Sequence, residues 1–588
     1  MNVLIGFAVG ALFLWLGARF YGRFISRKMG LEPDRPTPAT TMNDGQDYCP
    51  TNRHVVFAHH FSTIAGAGPI IGPTFAAIYG FVPVWLWIVL GGIFIGAVHD
   101  FVSVFASIRE RGQSIAQITR KTLGKSGFVL FMSFAIIMIV LVTSAFLDLT
   151  ARSLTSLWPV SALGLEPGQT LLRTVSVGGE QMGVIGGIAS MSVIVITLLS
   201  PLIGYLLYKR GMGTMRAYLL AFVVCLVSVT IGFHSPVSIS PLTWTIIISV
   251  YVFSVAGLPV WVVLQPRDFV NVQLLYAGLI MLVGGVIVAG FKGLTINMPS
   301  FNVAQGAEAI GLVWPMLFIT IACGAISGFH SLVGSGTTSK QISREYDART
   351  VGYNAMILES LLALCVAIAV SSALSHSDYL RITFPHILGS TDASNPVLAF
   401  SLSVGHLAQV AFGIPVAICS IIGILMVEGF VITTLDSAVR LTRYLFEELW
   451  SEIFTSVPQV LKAHWFNAAL AVGLMFYLAY SRTVLKLWPV FGASNQLLAA
   501  LTLMSASAWL YYRGKQIWYV AIPALIMIVT TIGAIWMLLE KHYNAGDGVL
   551  FVVDAILMGL ALGIVVLTAK TLLAKARGRH NAPAQVTP

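Results

Sequence analysis

The chain has 588 residues, of which 57% are hydrophobic and only 10% charged, and its mean hydropathy is +0.85. Ordinary soluble domains carry about a quarter charged residues, so a soluble protein is excluded, and with it any large water-exposed catalytic domain. The formal net charge of +10 would suggest nucleic acid in a soluble chain. In a polytopic membrane protein cytoplasmic loops account for it, and no nucleic-acid partner is expected.

The N-terminal stretch MNVLIGFAVGALFLWLGARF has no basic leader and no small-residue cleavage site, and predicts a retained membrane helix. At about 20 apolar residues per crossing, the chain reads as an all-α polytopic membrane protein of about fifteen transmembrane helices. In chain order the predicted spans are 2–22, 53–79, 84–108, 127–151, 185–208, 217–233, 243–264, 270–291, 312–338, 350–374, 408–438, 463–480, 488–511, 517–539 and 549–569. With the N-terminus outside, only Arg152, Arg173, Lys292, Arg381, Arg482, Lys486 and Lys541 of the 34 basic residues fall in outside segments. The rest fall inside, Arg267 standing alone in its connection. This asymmetry predicts the C-terminus in the cytoplasm. Cys225, Cys323, Cys365 and Cys419 lie in apolar runs and only Cys49 in a loop, so no disulfide framework is expected. The tail 576–588 is polar and predicted disordered.

Span 53–79 contains HHFSTIAGAGPIIGP, whose Gly-Ala-Gly-Pro run at 65–69 cannot continue a helix smoothly. Backbone groups released inside lipid are tolerated only where protein or a water-filled cavity satisfies them, so the break is expected to line a pathway. A proline kink that merely aids packing is the simpler alternative. Span 312–338 contains GFHSLVGSGTT, and an offset of 268 pairs Phe61 with Phe329, Gly66 with Gly334 and Gly68 with Gly336, which places a second break at 333–338. Counting the first of them, seven spans begin before the second, an odd number, so the two cross in opposite senses, as inverted repeats do. The helix after each break carries one acid in apolar surroundings, Asp100 and Glu359, and AFLDLTARSL is echoed by TTLDSAVRL; Asp148 with Arg152 and Asp436 with Arg440 stand at i, i+4, a spacing at which such pairs face each other on a helix.

On this reading residues 1–52 form a leading helix and loop, 53–233 a first five-helix repeat and 234–311 two inserted helices. Residues 312–511 form the inverted second repeat and 512–575 two trailing helices. The core is then a LeuT-like 5+5 fold. VFSVAGLPVW within 243–264 offers a rival second break.

A broken helix presents bare amides where its second half begins and bare carbonyls where its first half ends, suited to an anion and a cation respectively. The amides of Ala67 and Gly68 are therefore candidates for a substrate carboxylate. His60, Ser62 and Gly66 stand beside them, and His330, Ser331, Gly334, Ser335, Gly336 and Thr337 form the matching face of the other repeat. Ionisable groups inside a membrane are costly and mark ion or proton pathways. His99, Asp100, Glu359, Glu428 and Asp436 are the candidates here, with the hydroxyls of Thr433, Thr434 and Ser437 completing a cation site. The coupling ion is H+ or Na+, and no cofactor or metal is expected. The same histidines would permit a haem- or metal-binding redox enzyme, although no C-x-x-C-H motif is present. A nutrient-sensing membrane receptor is a third class.

HHFSTIAGAGPIIGP followed by GAVHDF, then ACGAISGFHSLVGSGTTSKQI, VEGFVITTLDSAVR and LWPVFGASNQLLAALTL, strongly resemble the carbon starvation protein A family. The resemblance runs from about residue 3 to 540. It implies a bacterial inner-membrane transporter for peptides or pyruvate under nutrient limitation, related to the amino acid, polyamine and organocation transporters, with proton coupling for pyruvate. The expected partners are a small carboxylate-bearing substrate and the lipid bilayer.

Overall fold

The computed structural model describes residues 1–44, 48–166, 169, 171–259, 262–481 and 483–576. Arg482 and nearly all of the predicted tail lie outside them, as does part of the rival break in 243–264. The protein is an all-α membrane protein. Among the described residues eleven helices are long and apolar enough to cross a membrane, or up to thirteen when two bent helix pairs each count as one span.

Both numbers lie below the expected fifteen. The run 243–264 yields only Pro241–Ala256, 16 residues, short of the ~20 a crossing needs. The run 463–480 yields His464–Ser481, outside the eleven. Its polar first turn is used locally, since Asn467 accepts from the Trp450 indole and donates to the Leu461 carbonyl. The run 408–438 is divided at Gly413–Pro415 into Pro396–Phe412 and Val416–Ile453, because proline has no N–H to continue a helix and steers the residue before it away from helical geometry. Conversely, the connection 152–184 is not structureless. It folds as a three-stranded antiparallel sheet of Leu157–Pro159, Thr174–Val177 and Glu180–Val184, the last in the middle, with Trp158 opposite Gly183 and Val175 opposite Met182.

The chain forms two compact units that cut across the predicted repeats. One comprises residues 1–8, 139–302 and 365–488, the other 9–138, 303–364 and 489–588. In the first unit, Ile185–Gly204, Leu264–Phe291, Pro396–Phe412 and Val416–Ile453 pack on one another. Arg267, expected in a loop, is instead 1% exposed inside Leu264–Phe291.

In the second unit both interrupted segments lie together. Arg53–Ile64 and Gly68–Tyr79 meet at 46°. The other segment is broken more than once: Val303–Ala309 and Val313–Thr320 meet at 65°, and further short helices follow at Ala322–Ala325 and Phe329–Gly336.

Candidate functional site

The first interruption is where the sequence places it. Helix Arg53–Ile64 ends at Ala65, whose ψ of 62° turns the chain out of helical geometry, and Gly68–Ala76 restarts with Pro69 in its first turn. Proline there costs nothing, because the amides of a first turn have no intrahelical acceptor. The Ala67 and Gly68 N–H groups make no hydrogen bond among the described residues, as a carboxylate-binding terminus requires. Gly68 has a further duty. A Cβ on it would overlap the Cys323 side chain, so its missing side chain lets the restarted helix close on Ala322–Ala325.

The second segment breaks earlier than expected, and again at the end of 333–338. Residues 329–336 are helical, and the chain is extended at Ile326 (φ −163°, ψ 135°), seven residues before the predicted start. Glycine in a helix costs only about 1 kcal/mol, so Gly334 stays within the helix, which ends at Gly336–Thr337; the break at Ile326 needs groups that capture the released backbone. Those groups gather upstream. The Asn495 carbonyl accepts from Gly328 N–H at 3.1 Å and its Oδ1 from Phe329 N–H at 3.1 Å, while its Nδ2 donates to Ser327 Oγ at 3.1 Å. Gly328 is glycine because a Cβ would strike the Asn495 carbonyl. The 268-residue offset therefore aligns similar letters at different places in the two helices.

Around the two breaks the unit buries a file of ionisable side chains. His99 Nδ1 lies 2.7 Å from Asp100 Oδ1, Asp100 Oδ2 lies 2.8 Å from His330 Nδ1, and His330 Nε2 lies 3.4 Å from Glu359 Oε2. All four are at most 1% exposed, and neither Glu359 oxygen has a hydrogen-bond partner among the described residues. His60, also buried, shares a hydrogen bond of 2.9 Å between its Nδ1 and Thr338 Oγ1. The sequence candidates His60, His99, Asp100, His330 and Glu359 thus converge, positioned by Arg53–Ile64, Phe81–Arg109, Phe329–Gly336 and Asn354–Ala373.

Other candidates have structural duties. Ser331 Oγ donates to the Gly328 carbonyl and accepts from Thr502, and Ser335 Oγ donates to the Ser331 carbonyl and accepts from Ile115 N–H. Both hydroxyls are thereby occupied in fastening their helix. Ser62 donates to its own helix at the His59 carbonyl. Gly334 packs against Val104, and Gly336 and Thr337 end the helix, Thr337 being exposed. Cys323, Ser327 and Asn495 were not anticipated; Asn495 sits within the recognisable LWPVFGASNQLL motif.

Glu428, Thr433, Thr434, Asp436 and Ser437 belong to the other unit. There Asp436 is not free to receive a cation: buried Arg267 holds it at 2.6 Å, and Tyr251 donates to it at 3.0 Å. Thr433 donates to Asp268, and Thr434 to the Phe430 carbonyl. The expected helical pair between Asp436 and Arg440 does not form, because Arg440 caps the Val255 and Leu258 carbonyls. Its counterpart does form, with Arg152 Nε 2.8 Å from Asp148 Oδ1. Glu428 accepts from Ser153, and its second oxygen has no hydrogen-bond partner among the described residues. Among the described residues no group of three or more His, Cys, Asp or Glu side chains is arranged to hold a metal ion.

Residues 2–395 and 387–534 match the family model described as carbon starvation protein CstA. The peptide transporter CstA of Bacillus subtilis is 32% identical, covering 97% of this chain and 96% of the relative. The pyruvate/proton symporter BtsT of Escherichia coli is 31% identical, covering 88% and 79%. Among solved structures, a mutant manganese transporter of Eremococcus coleocola aligns with a TM-score of 0.43 at 9% identity, covering 89% of this chain and 95% of that one. The chain is a transporter homologue throughout its matched length, and it belongs to the carbon starvation protein CstA family.

Proposed function

We propose that the protein is a secondary active symporter that imports a small carboxylate-bearing nutrient, a short peptide or pyruvate, together with a proton. The observation that carries this reading is the buried file His99, Asp100, His330 and Glu359 beside two helix breaks. Titratable groups buried inside a membrane are costly, and where they are kept they mark ion or proton pathways. Histidine alternating with carboxylate suits a proton, whose uptake or release moves no heavy atom.

The substrate carboxylate would sit on the unpaired amides of Ala67 and Gly68, and His60 and His330 would sense its arrival. The BtsT relative is a pyruvate/proton symporter by name and the CstA relative a peptide transporter; both substrates share the carboxylate. Alternating access then moves the broken helices of a LeuT-like 5+5 core about this site, in a bacterial inner membrane, with the N-terminus outside and the C-terminus in the cytoplasm.

Uptake of labelled pyruvate and dipeptides into proteoliposomes with imposed pH or sodium gradients tests the proposal. Saturable accumulation that follows the inward proton gradient in sodium-free buffer is expected. Accumulation that follows sodium alone, or a leak without saturation, would refute it.

A further inference from the structure

The second unit also carries an apolar groove of about 290 Å³. Tyr21, Trp87, Phe94, Trp518, Ile522 and Ile526 line it. An aromatic chain connects it to a basic mouth. The Phe24 ring lies tilted 6.0 Å from that of Trp518 and under the Lys28 ammonium at 5.8 Å, and Lys28 donates to Gln516 at 3.2 Å. The Lys515 ammonium reaches over Gly30 in the same corner. Arg19, Arg27, Lys28 and Lys515 are all exposed, and none has a carboxylate partner among the described residues.

Such a surface, apolar below and unneutralised above, matches one class of molecule. We propose that the groove and its mouth bind an anionic phospholipid, the acyl chain along Trp87, Phe94 and Ile522 and the phosphate between Lys28 and Lys515. Basic pockets beside membrane helices recognise such headgroups, and aromatic residues mark the headgroup level. A second copy of the chain is a poorer occupant, since two such mouths would bring like charges together. The segment 577–588 is poorer for the same reason, because it adds Arg577 and Arg579. The back wall gives the site a consequence. Trp87 donates to the Phe318 carbonyl at 3.2 Å, and its helix, Phe81–Arg109, carries His99 and Asp100. Bound lipid therefore leans on the transport helix and sets its mobility.

With the orientation proposed above the mouth opens to the cytoplasmic leaflet, whereas the preference for lipid charge does not rest on that orientation. The full chain, purified in mild detergent, is assayed for co-purifying phospholipid by mass spectrometry, beside Lys28→Glu/Lys515→Glu and Ile522→Trp variants. All three positions are exposed, so the fold is retained. About one phosphatidylglycerol or cardiolipin per chain is expected, with about a tenfold loss in each variant, the charge reversal removing headgroup attraction and the indole filling the groove. Delipidated protein should regain thermal stability with phosphatidylglycerol and not with phosphatidylcholine of the same chains. Retention indifferent to headgroup charge, a free fatty acid in the groove, or a dimer that excludes lipid there would each overturn the proposal. None of these results depends on which solute is transported.

Discussion

Replacing Asp100 by Asn removes the only carboxylate that joins two histidines of the file while leaving its shape. Asp100 accepts from His99 at 2.7 Å and from His330 at 2.8 Å; the new amide can accept one of these and must turn its NH2 toward the other. A buried donor left without an acceptor costs about 1–3 kcal/mol, which lowers the melting temperature without preventing folding. The effect on coupling is larger. A pH gradient of one unit is worth about 1.36 kcal/mol per proton, so symport of one proton sustains about tenfold accumulation of substrate. With the file cut, the inside-to-outside ratio of labelled pyruvate or dipeptide should fall to about one. Counterflow exchange, which needs no net proton movement, should persist. The assay compares both readouts in proteoliposomes in sodium-free buffer. An Asp100→Asn protein that still accumulates substrate about tenfold would refute the role given to the file; parallel loss of exchange would show only structural damage.

Asn495→Ala should lower the melting temperature and weaken substrate affinity together, because it strands the Phe329 N–H and Ser327 at the second break, at about 1–3 kcal/mol; an unchanged melting curve would refute the capping role. Arg267→Met leaves Asp436 buried without its cation and should cost about 3–5 kcal/mol in thermal or denaturant unfolding, whereas Arg267→Met with Asp436→Leu should recover most of it. Additive losses would contradict the pairing. Outside the membrane, burial opposes ionisation of Glu110, but hydrogen bonds from Lys121, Trp509 and Arg513 outweigh it and hold its carboxyl below the usual 4.5. Its stabilisation is therefore present above pH 4.5 and lost as pH falls through its folded value. Glu110→Gln should flatten the decline of melting temperature in that acid range, and an unaltered slope would count against it.

What was legible in the sequence was local. Gly-Ala-Gly-Pro announces the first break because the reason for it, a missing N–H and a missing side chain, lies in those residues. Asp148 and Arg152 pair because helical spacing suffices. The break at Ile326–Gly328 was not legible because it carries no proline; its backbone is held by Asn495, 168 residues beyond Ser327 in sequence. Asp436 was assigned the wrong arginine for the same reason, since Arg440 has the right spacing but is drawn to carbonyls at 255 and 258. Arg267 was read as a loop cation because a lone basic residue near an apolar run resembles a helix end; only the partners brought by Val416–Ile453 and Pro241–Ala256 make its burial tolerable. His99, Asp100, His330 and Glu359 were recognisable singly as costly in lipid, and packing of the interrupted helices turned them into one file.

The most direct test of proton coupling records internal pH. Proteoliposomes enclosing a pH dye, in sodium-free buffer and with no imposed gradient, receive external pyruvate or dipeptide, beside protein-free and Asp100→Asn liposomes as controls. Internal acidification above both controls is the predicted result. An acidification equal to the controls, with substrate entering nonetheless, would contradict it.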